Sequence, residues 1–94
     1  EIFAALPVER VDADNTVRVI STGVLFITDK GLWYRSDGDE ALRAWRDLGD
    51  VVGAGGLLSV SQEGCGPLHF RPVRRDAPSD PVVLAKVAAI ARDA

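Results

Sequence analysis

Residues 16–35 read Thr-Val-Arg-Val-Ile-Ser-Thr-Gly-Val-Leu-Phe-Ile-Thr-Asp-Lys-Gly-Leu-Trp-Tyr-Arg, and this stretch decides the predicted fold. It is rich in β-branched and aromatic residues, which favour strands. Turn-forming residues interrupt it twice, at Thr22-Gly23 and at Asp29-Lys30-Gly31. The stretch therefore predicts three consecutive antiparallel strands over residues 16–21, 24–28 and 32–36, joined by two tight turns.

The far end of the chain predicts a helix. Asp80 suits the N-cap, and Pro81 suits the first helical position, where a missing N–H costs nothing. Charged side chains at Lys86, Arg92 and Asp93 lie off a single apolar stripe, which comprises Val83, Leu84, Val87, Ile90 and Ala91. A helix this short is marginally stable alone in water, so we expect its stripe to pack against the sheet.

Residues 40–48 fit two structures. Leu42, Trp45 and Leu48 recur at three-residue spacing, and Gly49 follows as a candidate C-cap, which favours a short helix. The rival is a strand over residues 43–46 followed by a turn over residues 47–50. Local pattern favours the helix by a modest margin.

The remaining segments predict further strands. Residues 57–61 place Leu58 and Val60 on one face, and residues 68–73 return as a strand that ends at Pro72 or lies at an edge. Residues 53–56 predict a flexible connection and residues 63–67 a hairpin-like loop. Residues 2–10 predict a short strand or turn, and Asp14-Asn15 a turn before the first quoted strand.

The length, charge and cysteine count of the chain restrict the classes of function that it can have. Ninety-four residues form one domain, and a net charge of −3 gives no general attraction to nucleic acid. The single cysteine, Cys65, excludes an internal disulfide and predicts a cytoplasmic protein. The chain begins at Glu1 rather than methionine, which suggests a segment cut from a longer protein. Its preference for arginine over lysine indicates a bacterial source.

The order of these segments resembles a bacterial pleckstrin-homology-like (PH-like) domain. The resemblance is carried by the hairpin over residues 22–33, the Trp45-Arg-Asp-Leu48 segment with Val51 after it, the later hairpin and the C-terminal helix. It implies a mainly β barrel of two nearly orthogonal antiparallel sheets, capped by the helix, with residues 41–48 as strand. The alternative is an α+β fold with an additional short helix at 40–48.

The resemblance implies a non-catalytic module that binds lipid, a peptide or another copy of itself. Lipid-binding members carry basic residues around the first hairpin loop. Here the corresponding Thr22-Gly23 turn has only Arg18 nearby, so phosphoinositide recognition is not expected. We predict a scaffold module within a larger bacterial protein that binds a protein or peptide partner, self-association included.

The candidate binding residues are Arg71, Arg74, Arg75, His69 and Tyr34. Arginine forms bidentate contacts with carboxylate and phosphate, so the three arginines support an alternative function, binding of an anionic ligand or of lipid headgroups at the inner face of the membrane. The structural alternative is a solubilising strand edge. Trp33 and Tyr34 point to opposite faces, so one of them is expected in the core and the other partly exposed.

Catalysis and cofactor binding are not expected. His69 is the only histidine, Cys65 has the acidic Glu63 nearby, and residues 53–56 lack the Gly-Lys-Ser/Thr of a phosphate loop. The carboxylates between residues 37 and 50 lack the spacing of a calcium loop. The sequence therefore predicts no catalytic residue, no metal site and no cofactor.

Overall fold

The computed structural model describes residues 1–12, 18–38, 40–62, 64–74, 76 and 79–94, except for the side chain of Cys65. The strands are β1 (Ile2–Asp12), β2 (Arg18–Thr28), β3 (Gly31–Ser36), β4 (Glu40–Ala44), β5 (Leu48–Ala54), β6 (Leu57–Gln62) and β7 (Cys65–Pro72). A short 3-10 helix (Trp45–Asp47) joins β4 to β5, and the C-terminal helix α1 spans Pro81–Arg92.

In the described part of the chain, the strands form one antiparallel sheet of seven strands in the order β4-β3-β2-β1-β7-β6-β5. The mainly β fold with one C-terminal helix is confirmed. The sheet remains open because β4 and β5 lie at its two edges and do not pair with each other. One apolar core lies between the inner face of the sheet and α1, and its largest fully buried side chains are Tyr34, Phe70, Leu25, Ile27, Leu58, Leu84, Val8 and Val60.

The predicted turn at Thr22-Gly23 is wrong. Strand β2 runs through both residues, and Gly23 is opposite Val8 on one side and Ser36 on the other. A side chain at Gly23 would overlap the backbone carbonyl of Arg35, so the glycine permits close approach of β3 rather than a bend. The start of the first predicted strand and the Asp14-Asn15 turn lie outside the described residues.

The helix predicted over residues 40–48 is wrong, and the rival strand over residues 43–46 is present only at residues 43 and 44. The segment is strand β4 up to Ala44, then one 3-10 turn, then the start of β5. Two hydrogen bonds hold Trp45 to the β2–β3 hairpin: its indole Nε1 donates to the Thr28 carbonyl at 2.9 Å and its amide to the Lys30 carbonyl at 3.3 Å. These long-range contacts override the local helical spacing.

Two predicted connections are present in modified form. The turn predicted at Asp29-Lys30-Gly31 joins β2 to β3 but is one residue shorter, because Gly31, at positive φ as predicted, is the first residue of β3. The connection predicted over residues 53–56 is shorter, because β5 continues to Ala54. Only Gly55 and Gly56 form the turn, with φ of 61° and 77°, which suits a two-residue hairpin.

Helix α1 begins as predicted but presents a different face to the core. The Asp80 carboxylate accepts a hydrogen bond from the Val82 amide at 2.8 Å, and Pro81 is in the first turn. Leu84 and Ala91 are buried as expected, and Val87 packs against the core. Val83 and Ile90 are exposed, and Ala88 is buried in their place. The helix is therefore rotated relative to the predicted stripe. No helix in the described residues has the length and apolar character needed to cross a membrane.

Candidate functional site

The two edge strands of the sheet differ in their contacts with α1, which packs against β5. Helix α1 lies along β5, and a side chain at Gly53 would overlap the backbone of Pro81. At the other end of the helix, the Arg92 guanidinium donates to the carbonyls of Leu48 at 2.6 Å and Gly49 at 2.7 Å. The C-terminal helix therefore packs against the face of β5 at Gly53, and its last residue binds carbonyls at the start of the strand.

Strand β4 is the open edge. In the described residues it pairs only with β3, with Trp33 opposite Leu42. The bond from the Trp45 amide to the Lys30 carbonyl marks a hydrogen-bonded pair, and such pairs alternate along an antiparallel ladder. Leu42 therefore lies at a non-hydrogen-bonded position, and its N–H and C=O point away from β3, towards the free edge.

An apolar stripe crosses the outer face of the sheet and ends at this edge. The register places its members directly opposite one another on four neighbouring strands: Ala5, Phe26, Trp33 and Leu42. The Phe26 and Trp33 rings lie 5.0 Å apart, and Leu42 is 65% exposed. We call these four residues the outer stripe. It offers an incoming strand an apolar surface beside unpaired backbone groups.

Polar neighbours hold the Trp33 ring in place. Its Nε1 donates to the Glu40 carboxylate at 3.0 Å, and the Arg35 guanidinium lies 5.9 Å from the ring centroid. Of the pair considered in the sequence, Trp33 is the partly exposed member and Tyr34 is buried. A fixed aromatic ring loses little conformational entropy on binding, so Trp33 is suited to anchor a partner.

The inner face of β4 borders the gap between the two edge strands, β4 and β5. Ala41 and Arg43 are opposite Tyr34 and Leu32. The Arg43 side chain crosses the gap, because its Nε donates to Gln62 Oε1 at 3.0 Å, while its Nη1 donates to the Leu42 carbonyl at 3.1 Å. One arginine side chain thus occupies the position where another strand would bind.

One arginine of the predicted basic cluster is paired with an acidic residue. Arg71 forms an ion pair with Glu9, at 3.0 Å from Nε and 2.9 Å from Nη2. Arg71 and the exposed Arg74 line a cleft of about 750 Å³ at the start of α1, which Asp76 and Asp80 also line. Arg75 lies outside the described residues. The cleft thus carries both signs of charge.

Tyr34 is not at the surface with these arginines. It is 1% exposed, its ring packs 5.4 Å from the Phe70 ring, and its hydroxyl shares a 2.7 Å hydrogen bond with Ser21. The structure places Tyr34 in the core, where its buried hydroxyl needs the partner that Ser21 supplies. A direct contact of Tyr34 with a binding partner would require the core to open.

His69 has a partner that the sequence did not predict. Its Nδ1 lies 2.8 Å from Ser59 Oγ on the neighbouring strand. A serine–histidine contact is one element of nucleophilic catalysis, but the base also needs a group that orients it. Within the described ranges no carboxylate forms a recorded hydrogen bond with the His69 ring, and no three metal-ligating side chains come together. The contact is typical of a cross-strand polar pair.

Comparison with protein-family models, curated proteins and solved structures gave no significant match. We therefore infer the function of this chain from its own geometry.

Proposed function

We propose that this chain is a non-catalytic interaction module with a PH-like fold, which binds a protein partner by accepting an extended segment at β4. The strand order supports the fold assignment: β1 pairs with both β2 and β7, and the C-terminal helix packs over β5. The single observation that carries the function is the open β4 edge, whose outward-pointing Leu42 backbone groups adjoin the outer stripe.

Strand addition, the pairing of an extended segment of a partner with an edge strand, would use both the backbone groups of Leu42 and the outer stripe. Main-chain hydrogen bonds supply affinity in such complexes, and alternate side chains supply specificity. The N–H and C=O of Leu42 point to the free edge of β4, where Arg43 Nη1 donates to the carbonyl. Exposed edges are often protected by charge, and β4 carries two exposed charged residues, Glu40 at its start and Arg43, which adjoins Leu42.

The test is selection of peptides from a random library displayed on phage, with the wild-type chain as bait. A selected peptide should shift the backbone amide resonances of β3 and β4 in a ¹⁵N–¹H NMR titration. Leu42→Asp should abolish binding. Ile90→Asp is the matched control, because Ile90 is 63% exposed on α1, almost the same as Leu42. Shifts confined to α1 or the cleft, or equal loss in both variants, would contradict the proposal.

The alternative function, binding of an anionic ligand or membrane surface, has weaker support because Glu9, Asp76 and Asp80 oppose the arginines of the cleft. Co-sedimentation with phosphatidylglycerol vesicles distinguishes the two. Binding that disappears when Arg71, Arg74 and Arg75 are all replaced by alanine would favour the membrane function.

A further inference from the structure

We infer that Arg43 selects the partner of the β4 edge, and that the incoming segment carries an acidic residue next to an apolar one. This inference rests on the proposed function and adds the chemistry of the partner.

Arg43 holds a charge that no ion pair satisfies in the described ranges. Its two recorded acceptors, Gln62 Oε1 and the Leu42 carbonyl, are both neutral. Its guanidinium is exposed and lies on the same strand face as Ala41, opposite to the face of Leu42. A carboxylate would bind this group more strongly than either present acceptor, because it adds attraction between opposite charges and can accept two parallel N–H bonds from the guanidinium.

Strand addition would release Arg43 for this contact. The Leu42 carbonyl points to the free edge, and a backbone N–H of an added strand must take it as its acceptor. That N–H displaces Nη1 of Arg43, which now occupies the carbonyl. Nη1 is then free to bind the partner residue opposite Arg43, since the Cβ atoms of directly opposite residues lie about 5 Å apart. Aspartate or glutamate at that position completes the pair.

The neighbouring partner residue points to the other face, since side chains alternate along a strand. It lies opposite Leu42 and extends the outer stripe, so it must be apolar to bury Leu42 and the edge of Trp33. The recognised feature is therefore one acidic and one apolar residue at adjacent positions of an extended segment.

A second copy of this chain fits the edge less well. Antiparallel pairing of two β4 strands about Leu42 would place Ala41 opposite Arg43 of the other copy. The two Arg43 side chains would then be diagonal neighbours on one face, about 7–8 Å apart, where like charges repel. Charge complementarity favours an acidic partner over self-pairing.

The experiment repeats the phage selection with three baits: wild type, Arg43→Ala and Arg43→Glu. Wild-type selections should be enriched in Asp or Glu beside an apolar residue, Arg43→Glu selections in Lys or Arg, and Arg43→Ala selections in neither. A selected acidic peptide should bind Arg43→Glu at least tenfold more weakly, and replacing its acidic residue by lysine should restore affinity. Arg46→Glu, at the exposed arginine of the 3-10 helix, is the control and should bind as wild type does.

The outcomes separate the two claims. Peptides that perturb β4 but show no acidic preference, and that bind Arg43→Glu normally, overturn this inference and leave the proposed function intact. Failure to select any peptide that perturbs β4 overturns both. A wild-type dimer in light scattering that Leu42→Asp converts to monomer would show that a second copy occupies the edge, and would also overturn the inference.

Discussion

The attachment of α1 to the sheet depends on Arg92, and its replacement gives the sharpest test of the fold. The guanidinium donates to the carbonyls of Trp45 at 3.2 Å, Leu48 at 2.6 Å and Gly49 at 2.7 Å. It also lies 5.7 Å from the Trp45 ring centroid. One side chain therefore connects the last turn of the helix to the junction between the 3-10 helix and β5.

The expected cost of Arg92→Ala is about 2 kcal/mol. The two part-buried hydrogen bonds contribute about 1 kcal/mol each after discounting for solvent. The exposed bond to Gly49 and the cation–π contact add about 0.5 kcal/mol each. The entropy that the arginine recovers when it is removed offsets about 1 kcal/mol of this total. For a domain of this size, 2 kcal/mol lowers Tm by roughly 8–16 °C.

Urea unfolding followed by tryptophan fluorescence and circular dichroism measures this difference. Arg92→Lys keeps the charge but cannot reach three carbonyls, so it should lose about 1 kcal/mol. Arg46→Ala is the matched control, since Arg46 is exposed two residues before Leu48 and should change stability by less than about 0.5 kcal/mol. If Arg92→Ala unfolds at the same urea concentration as Arg46→Ala, the proposed role of Arg92 is refuted.

Two further pairs of substitutions test how α1 packs on the sheet. Ala88→Asp places a carboxylate where the side chain is 1% exposed and should destabilise by several kcal/mol. Ile90→Asp should cost no more than about 1 kcal/mol, because the Ile90 side chain is already exposed to water. If urea unfolding shows a larger loss of stability for Ile90→Asp than for Ala88→Asp, the helix face predicted from the sequence is the buried one. Gly53→Ala should cost about 1–3 kcal/mol, because the added methyl group meets the backbone of the first helical turn. Gly66→Ala, with open space around it, should cost less than about 0.5 kcal/mol in the same assay, and equal values would show that α1 is not seated on β5.

The sequence was sufficient to predict those features that are formed by residues close together in the chain. Asp80 caps α1 because its carboxylate reaches an amide two residues away. The turn at residues 29–31 is predictable for the same reason, since Thr28 Oγ1 accepts from the amides of Lys30 and Gly31. The burial of Leu58 and Val60 followed directly from alternation along one strand.

The sequence was not sufficient to predict those features that depend on contacts with a distant segment of the chain. Thr22-Gly23 has the residue types of a turn, yet Gly23 lies inside β2 because β3 passes close to it. The spacing of Leu42, Trp45 and Leu48 imitates a helix, whereas Trp45 is held by Thr28, 17 residues earlier. Which face of α1 is buried depends on its contacts with β5, and no stripe in the helix sequence specifies that rotation.

The candidate site was missed for a related reason. Sequence analysis favoured the arginines near residue 71 because clustered charge is visible along the chain, and Glu9, the partner of Arg71, is 62 residues away. An open edge is a property of sheet order and has no local signal. In β4 the alternation of Glu40, Leu42 and Ala44 with Ala41 and Arg43 was also compatible with a helix.

The sequence by itself determined the mainly β composition, the hairpins closed by short-range hydrogen bonds and a capped C-terminal helix. These features depend on backbone preferences and on contacts between residues close in the chain. Only the tertiary structure decided that residues 40–44 form an edge strand, that Arg92 and Pro81 attach the helix to β5, and that Leu42 and Arg43 are exposed. These features arise from pairing between strands far apart in sequence, which no local pattern encodes.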